Sequence, residues 1–321
     1  MPWHTSSLGS AALLACAGAG SLSAAGTTSL RVQSRSAGNG APRPPAVLHR
    51  CAVPAITLLV VGVPGRMGSA VVRAATDEPG VRVVGAVARP GTASRGRDVG
   101  TLSGVSALHL PLRDDFSAAL IEVRPDVAVD FTTPESAADF ADACARQGVP
   151  FVTGTTGFTP AQRERLDRAA ARIPIVVSPN MSVGVHVMLE AASLLSRVLG
   201  PGWDAEVLEL HHRLKKDAPS GTALRLAEVV AKARGQDAGA MRLARAGQVG
   251  ERPWGEIGVQ TLRGGDVVGE HTVFFLGPGE RIELSHRATS RDQFAKGALR
   301  AALWIRGQPP GQYGMRDVLG L

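Results

Sequence analysis

The sequence predicts an α/β protein: a doubly wound parallel sheet with helices on both faces, plus an inserted α+β domain with a mixed sheet. Three patterns carry that expectation. Apolar, β-prone runs alternate with helical periods from Ile56 to Ser178, and a glycine-rich turn joins the first run to the first helix. Beyond Leu199 the pattern changes to strands of unlike faces, before a helical stretch over Asp292 to Ile305 returns to the first domain. A length of 321 residues also exceeds what one core usually fills. The expected division is 55–181 with 293–321 for the first domain and 182–292 for the second.

Ile56 to Val61 reads as a buried strand. It runs into Gly62-Val63-Pro64-Gly65-Arg66-Met67-Gly68 and then into the helical period of Ala70, Val71, Ala74 and Ala75. Strand, glycine turn and helix in that order form a Rossmann-like opening that cradles a dinucleotide. Gly62 permits the sharp turn, Gly65 lets the backbone approach a diphosphate, and Gly68 lets the helix lie close to the strand. The spacing is G-x-x-G-x-x-G. The run Val81 to Ala88 closes the βαβ unit, and Arg89 follows where an acidic ribose-binding residue often stands.

Further strands are expected over Asp126 to Phe131, Phe151 to Gly154 and Ile173 to Ser178. Helices are expected over Glu135 to Arg146 and Pro160 to Ala171. Ligands of such sheets bind beyond the carboxyl ends of the strands. Thr132-Thr133, the turn of Gly154, Thr155 and Thr156, and the turn of Ser178, Pro179, Asn180 and Met181 all fall there. They are candidates to line the nicotinamide half of a cofactor.

After a helix over Val185 to Leu199, strands are expected over Val207 to His211, Ile257 to Leu262, Val267 to Phe275 and Arg281 to Ala288, the last two joined at Gly277 to Glu280. The first of these delivers H-H-R-L-K-K-D-A-P-S-G-T-A, residues 211–223, into a loop. Pro219 suits a first-turn position, Ser220 a cap, and Gly221 and Thr222 expose backbone N–H groups at a helix start, which attracts carboxylate or phosphate. Two histidines and Lys215 beside such a start point to a small dianion.

At these stretches the chain resembles the 4-hydroxy-tetrahydrodipicolinate reductase (dihydrodipicolinate reductase) family. The likeness covers about residues 56 to 319 and includes G-R-M-G at 65–68, D-F-T-T-P-E at 130–135, G-T-T-G-F at 154–158, N-M-S-V-G-V at 180–185, the H-H-x-x-K-x-D-x-P-S-G-T-A signature, G-E-H-T at 269–272 and M-R-D-V-L at 315–319. The resemblance implies an NAD(P)H-dependent enzyme of lysine and diaminopimelate synthesis that reduces a cyclic dicarboxylate with loss of water, and a homotetramer assembled through the second sheet. It implies His211 as proton donor with Lys215 as its partner. It also implies substrate contacts from His212, Lys215, Ser220, Gly221, Thr222 and Thr156, and cofactor contacts from Gly62 to Met67, Arg89 and the strand-end turns named above. With Ala88 and Arg89 in place of an acid, NADPH is expected to be preferred over NADH. Leu214 stands where some members carry a third histidine. Two other readings stand beside this one: another nicotinamide dehydrogenase on the same scaffold, such as an amino-acid dehydrogenase, and a non-enzymatic dinucleotide sensor. The first would lack the S-G-T-A turn, and the second would have no use for His211 with Lys215.

Composition narrows the classes. No stretch offers the 18 or more apolar residues that a membrane span needs. Of the formal charge of +7, four come from the arginines of residues 1–50, where no acid stands; the remainder is too small to suggest nucleic acid, and no recognition motif accompanies it. The three cysteines lack C-x-x-C spacing, and His109, His186, His271 and His286 are isolated, so neither a metal nor a disulfide framework is expected. Residues 1–50, rich in Ser, Ala, Gly and Arg, read as a transit peptide, a disordered extension or a start assigned too early. The expected location is the cytoplasm, or the plastid stroma if that leader is a transit peptide.

Overall fold

The computed structural model describes residues 54–321. The expectation for residues 1–50 lies outside them.

The first layer is a six-stranded sheet. It is formed by β1 (Ile56–Val61), β2 (Val81–Val87), β3 (Val127–Asp130), β4 (Phe151–Thr153), β5 (Pro174–Val177) and a late strand, β11 (Gly311–Tyr313). Their order is β11-β5-β4-β3-β1-β2, with every pair parallel. Such strands are covered on both faces, which is why they read as continuous apolar runs. One face packs on α1 (Arg66–Thr76), the short α2 (Val99–Ser103), α8 (Asp292–Ile305) and α9 (Met315–Leu319). The other packs on α3 (Phe116–Val123), α4 (Pro134–Gln147) and α5 (Pro160–Ala170). The strand order reverses at β1 and β3, so the crevice above these two strands is where a ligand is expected.

The second sheet contains β6 (Asp204–His211), β7 (Met241–Arg242), β8 (Ile257–Arg263), β9 (Gly269–Gly277) and β10 (Glu280–Ala288), in the order β10-β9-β6-β8-β7. It is mixed: β6 runs parallel to β8 and antiparallel to β9. On its covered face, α6 (Val183–Leu199) and α7 (Gly221–Ala233) bury Ala205, Val207, Val259, Val273 and Phe275. The opposite face leaves Leu262 50% and Leu276 36% exposed.

The sequence pattern and this fold differ in several places. α2, α3, β7, β11 and α9 have no counterpart in the pattern, being short. The strand expected from Val267 starts later: the Val267 carbonyl accepts the His212 N–H at 2.8 Å, and β9 pairing starts at Gly269, opposite Ala288. The strand expected from Val207 starts earlier, with β6 pairing from Asp204. Pro219, expected in the first turn of α7, lies outside the helix, because Ser220 is the N-cap and Gly221 the first helical residue.

Candidate active site

The glycine turn after β1 is dictated by close backbone approach. Gly62 sits at φ +89, and a Cβ on Gly65 or on Gly68 would come 2.6 Å from the Gly62 carbonyl oxygen. Gly65 is therefore required by the turn itself, before any cofactor approaches. The N-cap of α1 is Gly65 with no side-chain hydrogen bond, and its first turn holds no acid. Amide groups and a positive dipole end are thus left free for a diphosphate. Val63 is fully buried in the core, whereas Pro64 and Arg66 are exposed.

Six residues singled out from the sequence, Arg66, Met67, Gly154, Pro179, Asn180 and Met181, line one cavity of about 230 Å³. Phe131, Arg291 and Phe294 complete it. Arg291 and Phe294 carry no local signal because they enter from the start of α8, more than a hundred residues away in the chain. A larger cavity of about 690 Å³ lies along Phe116, Phe140 and Arg165, away from these turns. Several of its charges are paired with one another, Arg95 with Asp114 and Arg165 with Asp139 and Asp142.

Buried Asp130, at the end of β3, fastens the loops around the crevice. It accepts hydrogen bonds from the hydroxyls of Thr132 at 2.6 Å, Thr153 at 2.8 Å and Thr155 at 2.8 Å. Burial pushes its pKa up, against the pull of those bonds. Thr155 is consequently turned inward and spends its side chain on the scaffold, whereas Thr156 is exposed. Ser178 likewise turns into its own loop, donating to the Asn180 carbonyl at 2.6 Å. Asn180 reaches across to the second sheet's helices: its Nδ2 donates to Thr222 Oγ1 at 3.2 Å. Arg89 is exposed just beyond buried Ala88.

The second half of the site is assembled by β6. Side chains at 205, 207, 209 and 211 share the covered face, so the strand period of two puts Glu209 beside His211. Glu209 is fully buried and accepts from His211 Nδ1. It also accepts from the Ser220 amide at 3.0 Å, the Thr261 hydroxyl at 3.1 Å and both terminal nitrogens of Arg263 at 2.9 Å. Burial opposes its charge, but the bonds from His211 and Arg263 win and hold its pKa at about 2. Ser220 caps α7 by accepting the Ala223 N–H at 3.2 Å, leaving the Gly221 and Thr222 amides at the open end. Lys215 lies against Asp217 at 2.9 Å, and that ion pair lowers the Asp217 pKa. His212, on the alternate face, is half-buried.

His271, isolated in the sequence, is brought into this group. Its Nε2 meets Ser220 Oγ at 3.2 Å, and its ring stands edge-on to His211 with centroids 5.2 Å apart. Burial, then the neighbouring His211, push its pKa from the ordinary 6.5 down to about 3, so it is neutral. A depressed pKa stabilises the fold fully above the unfolded value, and this contribution drains away as pH falls from about 6.5 toward 3. His271→Gln is expected to flatten the melting temperature against pH in that window; an unchanged slope would assign the acid loss to other groups. Among the described residues, no three His, Cys, Asp or Glu are arranged to hold a metal ion.

Two family profiles match almost the whole described chain. Residues 56–181 match the one described as dihydrodipicolinate reductase, N-terminus, and residues 184–319 the one described as dihydrodipicolinate reductase, C-terminus. The chain belongs to the dihydrodipicolinate reductase family. Among family members, it is 56% identical over 265 residues to the 4-hydroxy-tetrahydrodipicolinate reductase of Myxococcus xanthus, covering 83% of this chain and 98% of that protein. It is 54% identical to that of Anaeromyxobacter dehalogenans, covering 82% and 97%. The structure of dipicolinate-bound dihydrodipicolinate reductase from Paenisporosarcina sp. TG-14 superposes with a TM-score of 0.65 at 24% identity, covering 82% of this chain and 98% of that one. This likeness shows that the fold of the family, with its parallel sheet and second mixed sheet, is the fold of this chain.

Proposed function

We propose that this chain reduces 4-hydroxy-tetrahydrodipicolinate to tetrahydrodipicolinate, releasing water, in the synthesis of lysine and diaminopimelate. The observation that carries the reading is His211, its Nδ1 committed to buried Glu209, standing beside the capped start of α7. The uncapped start of α1 and the Arg66 cavity suit a nicotinamide dinucleotide, which supplies the hydride when bound. Uptake of a hydride with loss of hydroxide requires one proton. Through Nε2, His211 delivers it, and the hydroxyl leaves as water. Lys215, His212 and the Gly221 and Thr222 amides neutralise the two substrate carboxylates, with Thr156 approaching from the crevice side. Lys215 pairs with Asp217 at 2.9 Å, which positions its ammonium in the loop before α7. The absorbance change at the nicotinamide band, with substrate supplied by its synthase, tests the reaction. Dipicolinate is expected to inhibit competitively; failure to compete would remove the α7 start from the substrate site.

NADPH is the preferred cofactor in this reading. Arg89 is exposed where an acid would repel a 2′-phosphate, and a hydrogen bond to a charged group is worth about 1.5–3 kcal/mol. The expected preference over NADH is therefore roughly tenfold to a hundredfold in kcat/KM. Ala88→Glu combined with Arg89→Ser should erode or reverse it, and equal use of both cofactors by the parent enzyme would show that Arg89 does not discriminate. The open face of the second sheet, with Leu208, Leu210, Leu262, Phe274 and Leu276, supports assembly into a homotetramer, which sedimentation measures directly. The compartment we propose is the cytoplasm. No helix among the described residues is long and apolar enough to cross a membrane.

A further inference from the structure

We propose that Glu209 is the positioning residue of this site: it decides which nitrogen of His211 faces the substrate, and it locks that histidine to the anion-binding start of α7. The proposal rests on the reading of His211 as proton donor. Both oxygens of Glu209 are saturated by donors and by nothing else. One oxygen accepts from His211 Nδ1 and from Arg263 at 2.9 Å. The other accepts from Arg263 at 2.9 Å, the Ser220 amide at 3.0 Å and the Thr261 hydroxyl at 3.1 Å. Only an ionised carboxylate, which accepts at every lone pair, satisfies all of these donors. An amide would have to turn its own hydrogens onto one of them.

The consequence for His211 is a fixed tautomer. With Nδ1–H given to Glu209, Nε2 is the nitrogen left for the reaction. It looks past Gly269, where a Cβ would come 2.9 Å from Nε2, so the absent side chain keeps that nitrogen clear. The same carboxylate reaches the substrate's other contacts. Through the Ser220 amide it anchors the cap of α7. Arg263 carries the link onward, donating to the Asp217 carbonyl at 2.6 Å, and the Asp217 side chain holds Lys215 at 2.9 Å. The groups beside His211 are thus Glu209 on its own strand, Arg263 at the paired position of β8, and neutral His271 from β9. Glu209 is the one anion among them, and its carboxylate lies against Nδ1, the nitrogen that does not face the reaction.

Glu209→Gln tests the role, with the double variant Glu209→Gln, Arg263→Gln measured in its place if the unpaired Arg263 charge prevents folding. Arg263→Gln alone is the reference, because its His211–Glu209 contact persists. Nitrogen NMR of the His211 ring should find the neutral form protonated at Nδ1 in the parent and in Arg263→Gln, and that preference lost in the Glu209→Gln protein. Turnover should fall roughly tenfold or more, as when an orienting carboxylate is neutralised beside a catalytic histidine. Nδ1 unprotonated in the parent, or Nδ1 preference and turnover both unchanged in the Glu209→Gln protein, overturns the proposal. Parallel measurement of His211→Ala separates the two readings. Loss of turnover there with parent-like turnover in the Glu209→Gln protein sinks the role of Glu209 alone, whereas full turnover in His211→Ala removes His211 as the proton donor and this proposal with it.

Discussion

His211→Ala is expected to lower kcat by ~10² or more, the usual worth of a placed general acid, while the affinity for NADPH stays close to that of the parent. The split follows from geometry. His211 ends β6 in the second sheet, whereas the glycine turn and the Arg66 cavity belong to the first. Removing the ring also strips Glu209 of one donor, but Arg263, Ser220 and Thr261 still satisfy it, so the fold should survive. Stopped-flow binding of NADPH and steady-state turnover on one preparation measure both quantities. Near-parent turnover would take His211 out of the chemistry; a matching loss of cofactor affinity would mean that the two halves are not separable.

Gly297→Ala is expected to be the most damaging addition of a single methyl group. A Cβ there would lie 1.8 Å from the Met181 carbonyl oxygen and 2.8 Å from its carbon, both of them backbone atoms that no rotamer change can move. Helix α8 would have to withdraw from the loop of Ser178 to Met181. Overpacking of this kind costs roughly 1–3 kcal/mol or more, several degrees of melting temperature in a chain of this size. Because Met181 and Phe294 line the same cavity, cofactor affinity should fall as well. Gly307→Ala, with nothing within 4 Å of the added carbon, is the control. A Gly297→Ala protein that melts with the parent would mean that the close approach of α8 is not rigid.

The legible parts of the fold are those written in local pattern. β1, the glycine turn and α1 are contiguous, so periodicity and glycine spacing reveal them together, and the same holds for residues 211–223. Glu209 lies within reach of such reasoning, since a strand places residues two apart on one face, but as part of E-L-H it reads only as the end of an apolar run. Arg263 and His271 are not legible. They reach Glu209 and Ser220 from strands 54 and 51 residues away, and nothing in their own neighbourhoods distinguishes them from ordinary sheet residues. The inward turn of Thr155 is hidden for the same reason: its partner, Asp130, lies 25 residues earlier. Short elements such as β11 gain their identity only from the neighbour they pair with.

The path of the chain through the two sheets bears on how the protein is made. α8 covers the face above β1, and β11 completes the edge beside β5, yet both emerge only after the whole second sheet has been synthesised. Domains on a ribosome tend to fold as soon as their last residues appear. Here the first sheet begins earliest and is finished last, while the sheet bearing His211 can close before the release of the C-terminus. A chain that ends before Arg291 should therefore hold the residues of the second sheet beside a crevice that still lacks its Arg291 and Phe294 wall, so that competence for hydride transfer arrives only with the final stretch of translation.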